Sequence, residues 1–334
     1  FKQKTAYEIR LSLVGSEMCI RDRAKNAIKE SILIGQIQEL WIGLSIPIWT
    51  YAEIPEHKSR MRKARKLLES TDQAGCSPSV MIEVSRLAAI VAQHDGDLKL
   101  GLYWLDRLRQ ILRRSDQFDG YEQSEYHMQR LILFNRFQLA VRGIREAKVV
   151  LSVSPVGTVH WYNGASILVN LLLKCGRYLE AFEAAREIMF KNGYSKRASE
   201  FATQMNLRTI YARVMSGQSI TGLRLHTIAN HYPLDLIILR MIVGKRKRNY
   251  DDIEHAIASL RRHLLRRKKD QNHPLLILLS NVLTAYDKHS YDLAICRKLP
   301  WFLKAEESLS ERTVDESYRA VLSPKAIWEF MIEG

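Results

Sequence analysis

The sequence predicts an all-α chain, built as an antiparallel array of helix hairpins stacked as an α-solenoid. Three observations carry that reading. From Ala24 onward apolar residues recur at three- and four-residue steps, as on one face of a helix, and no segment of alternating β-branched residues competes. The turns share a grammar, in which a glycine stops one helix and a capping residue opens the next. The small residues after successive turns, Ala64, Gly101, Ala147, Ala181, Gly222, Ala256 and Ala294, fall 34 to 46 residues apart, a quasi-period of about 38 that suits hairpins burying their faces against neighbours. Composition agrees: 46% hydrophobic and 26% charged residues with 16 Gly and 8 Pro exclude a disordered, collagen-like or low-complexity chain. Four Cys in 334 residues exclude a disulfide-stapled secreted module, and no apolar run approaches the length of a membrane span.

The elements follow in order. Residues 32–52 are apolar and hold Trp41 and Trp49, but Glu39 and Pro47 make them a buried or capping helix rather than a span. Ser77 caps a helix with Pro78 at its first position, Gly96 ends it, and Asp97 caps the next. In that next helix Leu98, Leu102, Leu105, Leu108 and Leu112 share one face, with Arg107, Arg109, Arg113 and Arg114 largely around it. Residues 160–193 repeat the grammar: Ile167, Leu168, Leu171 and Leu172 precede Gly176, after which Ala181 and Ala185 lie one turn apart and permit close helix approach. Residues 195–217, 251–269 and 274–299 extend the pattern. Residues 149–153 and 237–243 are the only strand-like runs, both short enough to be buried helical turns. Ser323 and Pro324 open a last helix. The expected organisation is residues 1–23 set apart, a repeat array over 24–299, and a C-terminal helical segment over 300–334.

Residues 171–189, LLLKCGRYLEAFEAAREIM, resemble the turn and second helix of a tetratricopeptide repeat, with Gly176, Arg177, Tyr178, Glu180 and Ala181. Residues 94–101 and 290–294 are weaker copies. The resemblance covers about residues 64–299 as architecture. It implies a scaffold that holds peptide segments or partner proteins and carries no catalysis. Lys174, Gly176, Ala181, Met189 and Gly193 also echo the RNA-binding pentatricopeptide repeat. Reading about one base per repeat needs a nearly constant repeat length, which the intervals here do not give.

A second resemblance concerns the first residues. Residues 2–9 and 13–22 resemble in-frame translations of the two ends of a sequencing-library adapter, with Arg10, Leu11 and Ser12 where its index falls. It implies that residues 1–23 are an adapter-derived, non-native segment and that the true start is missing, which leaves a signal peptide open. Leu11, Leu13, Val14, Met18 and Ile20 are then expected to pack poorly. Setting the segment aside lowers the net charge from +15 by 2, to +13, so the basic character stays. Cys76, Cys175 and Cys296 remain and form no CxxC pair, which reads as buried, inert thiols in a reducing compartment.

No glycine-rich phosphate loop, GxGxxG, GxSxG, HExxH or cysteine knuckle occurs. His226 with His231, and His255 with His263, are spaced wrongly to place two imidazoles on one helix face. The expectation is therefore no catalytic residue, no metal ion and no cofactor. The sharper candidates are basic. Lys245, Arg246, Lys247 and Arg248 lie in or beside a turn, and Arg261, Arg262, Arg266, Arg267, Lys268 and Lys269 crowd the end of a helix. Favourable helix-dipole placement accounts for some of them but not all. With Lys58, Arg60, Arg62, Lys63, Arg65 and Lys66 they suit an anionic partner. The function expected is a cytoplasmic protein- or peptide-binding scaffold. The alternative is a basic solenoid holding nucleic acid by its phosphates, with a membrane surface less favoured.

Overall fold

The computed structural model describes the backbone of residues 6–45, 54–71, 75–192, 199–219, 232–266, 274–311 and 321–332, and the side chains of residues 21–44, 56–71, 75–191, 201–219, 232–266, 274–309 and 321–332. Among them are fifteen helices and no strand, and consecutive helices pack as adjacent pairs, as the sequence predicts. The chain falls into two compact units, Phe1–Gln138 and Leu139–Gly334.

The first unit holds α1 (Ala6–Ser45), α2 (Ile54–Ser70), α3 (Pro78–Asp95), α4 (Leu98–Arg114) and α5 (Gly120–Arg136). At its centre is α3, against which α1, α2 and α4 pack. Its ends form where the sequence places them. Ser77 Oγ accepts from the Val80 N–H, Pro78 starts the helix, and Gly96 closes it at φ 76°. The Gly96 and Asp97 N–H groups then reach back to the Gln93 and Ala92 carbonyls, and Asp97 Oδ1 accepts from Leu100. That two-residue joint turns α4 back antiparallel to α3. Ile37 and Leu44 of α1, Met61 and Ala64 of α2, and Val80, Val84 and Leu87 of α3 make one core cluster. Leu105, Leu108 and Leu112 close a second on Tyr126 and Leu133 of α5, while Leu98 and Leu102 are half-buried at its margin. Gly101 matters here, because a Cβ on it would meet Leu133 Cδ1 at 3.0 Å.

The described side chains of α1 start at Arg21. Arg21 to Lys29 are exposed, Glu30 accepts from the Ser77 N–H, and Ile37 is the first fully buried residue described. The side chains of Leu11, Leu13, Val14, Met18 and Ile20 lie outside the described residues, as do Pro47 and Trp49.

The second unit holds α6 (Ala140–Val153), α7 (Val159–Lys174), α8 (Tyr178–Asn192), α9 (Ser199–Met215), α10 (Pro233–Lys247), α11 (Tyr250–Arg266), α12 (Pro274–Lys288), α13 (Leu293–Cys296), α14 (Pro300–Glu311) and α15 (Pro324–Ile332). Both strand-like runs are turns of α6 and α10. Gly176 ends α7 at φ 70°, and Ala181 and Ala185 are fully buried where α8 meets its neighbours. Gly164 lets α7 close on α6, since a Cβ there would stand 2.7 Å from Val150 Cγ1. At the end of the unit α15 opens at Pro324 with Ser323 Oγ capping Ala326, and it packs on α10, α12 and α14. Trp328 is buried between Tyr286 and Phe302 and donates its Nε1–H to Glu306.

Of the seven marker residues Ala64, Gly101, Ala147, Ala181 and Ala256 are buried, but only Gly101 and Ala181 follow their turns at the same distance, three residues into α4 and α8, whereas Ala64 lies ten residues into α2. Gly222 lies outside the described residues. Ala294 is exposed, because Ser290 and Tyr291 take positive φ and Asp292 caps a helix of only four residues before Pro300 restarts the chain. The thiols also differ from expectation. Cys296 is buried, Cys76 is half-buried, and Cys175 is exposed because it occupies the C-cap of α7 at the turn.

Candidate anion-binding surfaces

Ten basic residues were expected to act together in the second unit, and the hairpin of α10 and α11 separates them. Arg248, in the left-handed region at φ 54°, and Asn249 join the two helices so tightly that they run antiparallel. Lys247 and Arg248 thus sit at the start of α11 and Arg266 at its far end, roughly 24 Å away at 1.5 Å per residue. Screening at physiological ionic strength acts over about 8 Å, so the two ends present separate fields. Arg261 and Arg262 lie between, toward the far end. Arg267, Lys268 and Lys269 lie outside the described residues.

Within the near group the fold sorts neighbours sharply. Arg246 donates from Nη1 to the carbonyls of Val214 and Gln218, at 2.9 and 2.8 Å, and from Nη2 to Gly217 at 2.9 Å, closing the end of α9. Lys245 Nζ donates to the Met331 carbonyl of α15 at 2.9 Å, and burial pulls its pKa below the ordinary lysine value. Both are structural cations. Lys247 and Arg248 are exposed, as are Arg261 and Arg266, while Arg262 lies back along its own helix on the Ala258 carbonyl and Ser259.

The α2 cations of the first unit are sorted in the same way. Arg60 pairs with Glu56 and donates to the Gly43 carbonyl, and Arg65 pairs with Asp95. Lys58, Arg62 and Lys66 are exposed at i, i+4 and i+8, so they form one stripe of like charge along the helix. Each such contact costs an isolated helix about 0.2–0.5 kcal/mol, which an anionic partner would reverse.

No protein-family model matches the chain, and no curated protein or solved structure matches it. Function must therefore be argued from the surfaces themselves.

Three polar groups, Asp235 buried and Arg86 and His94 half-buried, were not singled out from the sequence. Arg86 of α3 binds Glu83 at 2.8 Å and also Glu122 of α5. Burial opposes its charge, but Glu122, Glu83 and Glu125 outweigh that and hold its pKa above the ordinary arginine value. Asp235 of α10 is buried, and its Oδ1 accepts from Tyr211 OH and the Val321 N–H, both at 3.0 Å. Burial pushes its pKa up to about 6 against the pull of those donors and of Arg208. His94 sits 4.6 Å from the His57 ring and 3.5 Å from Arg136 Nη1, and burial first, then Arg136 and His57, lower its pKa to about 4. The available signals were local: an acid in the first turn of an otherwise apolar helix for Asp235, and an i, i+3 charge pair inside an apolar run for Arg86. Among the described residues no three His, Cys, Asp or Glu could hold a metal ion, and no helix is long and apolar enough to cross a membrane.

Proposed function

We propose that this chain is a cytoplasmic interaction scaffold that holds a protein or peptide partner, works without a cofactor and performs no chemistry on what it holds. The observation that carries this reading is that exposed cations singled out from the sequence fall into short, separate groups: Lys58, Arg62, Lys63 and Lys66 on α2, and, in the other unit, Lys247 and Arg248 at one end of α11 with Arg261, Arg262 and Arg266 toward the other. Folded or peptide partners offer carboxylates at discrete points, which such groups suit. The hairpin architecture supports the same reading, since side-by-side helices give continuous surface on rigid elements. The α2 stripe favours a second reading, contact with nucleic-acid phosphates, because its cations follow one line.

Two measurements on the full chain separate them. In a peptide array, saturable binding to particular linear segments is expected, and uniform silence would remove the scaffold reading. In filter binding with duplex and single-stranded DNA, a nucleic-acid binder loses affinity steeply and linearly with log salt. Such a slope, with no segment of the array bound, would replace the first reading by the second.

A further inference from the structure

Helix α1 is apolar on two opposite faces. Ile37 and Leu44, with Leu33, Ile34, Leu40 and Trp41 packed beside them, lie in the core of the first unit, where α2 and α3 meet the helix. On the other side Ile28, Ile32 and Ile42 are 61, 58 and 53% exposed, and Gly35 and Glu39 between them are exposed as well. These five positions follow one another at steps of four, three, four and three residues, so they line one stripe. At 1.5 Å per residue the stripe is roughly 21 Å long. A Cβ on Gly35 would meet nothing within 4 Å, so its middle is open. Single apolar residues scattered over a surface need no explanation, but three isoleucines in register along one helix do. Stacked helices that face solvent carry a polar outer side, and α1 departs from that rule.

The stripe is complementary to itself when reversed. Gly35 lies seven residues from Ile28 and seven from Ile42, so a second copy of α1, antiparallel about a two-fold axis at Gly35, sets each Ile28 against Ile42 of the other copy. The absent side chain at the axis lets the two backbones approach closely. Charge selects the same direction. Lys29 lies six residues before Gly35 and Glu39 four after it, so reversal brings the two within about 3 Å of each other along the helix axis, whereas a parallel pair would set lysine beside lysine. Both are exposed, and within one helix they stand roughly 15 Å apart, too far to pair with each other. We infer that the chain forms a homodimer through α1, crossing at Gly35, with Ile28, Ile32 and Ile42 buried between the copies and Lys29 of each facing Glu39 of the other. The dimer goes beyond the scaffold reading and stands whichever partner is held.

The test is sedimentation equilibrium on the full chain over a range of micromolar concentrations at physiological ionic strength. The parent should fit a monomer–dimer equilibrium. Because the two-fold axis counts every substitution twice, Ile28→Ser should weaken dimerisation about tenfold or more. Phe190→Ser removes an apolar side chain that is 87% exposed in the other unit, and should change it less than about twofold. Lys29→Glu or Glu39→Lys alone should each weaken it about three- to tenfold, and the double exchange should return to within about twofold of the parent. Such rescue needs two chains side by side, given the distance between the two residues in one. All three α1 positions are exposed, so the variants keep the packed face of the helix, and circular dichroism checks that they fold. Should Ile28→Ser lose helix, the charge exchange decides alone. A parent that stays monomeric, equal loss in Ile28→Ser and Phe190→Ser, or a double exchange no better than either single change would each overturn the proposal.

Discussion

Replacing Asp235 with Asn tests whether burial governs the polar interior of the second unit. The carboxyl is held at a pKa of about 6 in the folded chain against 3.8 for the free side chain. About two units correspond to roughly 3 kcal/mol of proton-linked free energy. The sign follows from the direction of the shift. Because the folded state binds this proton more tightly, its contribution is fully present below pH 3.8 and is lost as pH rises through about 6. His94 works in the opposite sense in the other unit. Its lowered pKa contributes stability present above 6.5 and lost as pH falls toward about 4, so the parent profile alone mixes the two. The difference between parent and Asp235→Asn cancels His94 and every other group distant from the site. Any fixed cost of seating the amide offsets that difference by a constant and drops out of its change with pH. Urea unfolding followed by circular dichroism should therefore show the parent losing about 2 kcal/mol relative to Asp235→Asn between roughly pH 4.5 and 7.5, and nothing further above that. A difference that stays flat with pH would refute the argument that desolvation outweighs the donors around Asp235.

Further outcomes are open to equally direct measurement. Arg246→Ala strips three carbonyls at the end of α9 of their donor and should cost about 1.5–3 kcal/mol, whereas Lys247→Ala next to it should stay within about 0.5 kcal/mol, both by chemical unfolding. Gly164→Ala places a Cβ 2.7 Å from Val150 Cγ1 and should destabilise by about 1–3 kcal/mol, with much of the loss recovered by adding Val150→Ala. Deleting residues 1–23 should leave the melting temperature unchanged or raised, in keeping with the exposure of Arg21, Asp22 and Arg23, and a clear drop would show those residues to be an integrated part of the fold.

Most of the architecture was legible because it rests on local rules. Ser77, Pro78, Gly96 and Asp97 fix one helix end and the next helix start through their own backbone preferences, whatever packs around them. The leucine stripe of α4 could be read for the same reason, since a period of 3.6 puts those residues on one face before any partner is known. The failure at Ala294 marks the limit of such reading. Its surroundings share residue types with residues 176–181, yet Tyr291 takes a left-handed conformation with its ring tilted against Tyr250 and edge-on to Tyr286, and Pro300 leaves too little chain for a full helix. Those contacts are tertiary and carry no local signature.

The candidate surfaces were less legible, because a sequence counts charges and the fold decides which are already satisfied. Arg246 and Lys247 are neighbours of the same sign, and only the approach of α9 to α10 makes one a cap for carbonyls and leaves the other in solvent. Lys245 likewise becomes structural only when α15 arrives from the far end of the chain. Arg109, Arg113 and Arg130 show the converse. In the sequence the first two flank a leucine stripe and look like an ordinary solvated face. Once α4 and α5 pack, Arg109 lies near the buried Tyr126 ring, Arg113 lies near Phe118, and Arg130 joins them from α5. Which cations of so basic a chain face solvent is therefore decided by packing, and the density of Lys and Arg along the sequence does not reveal it.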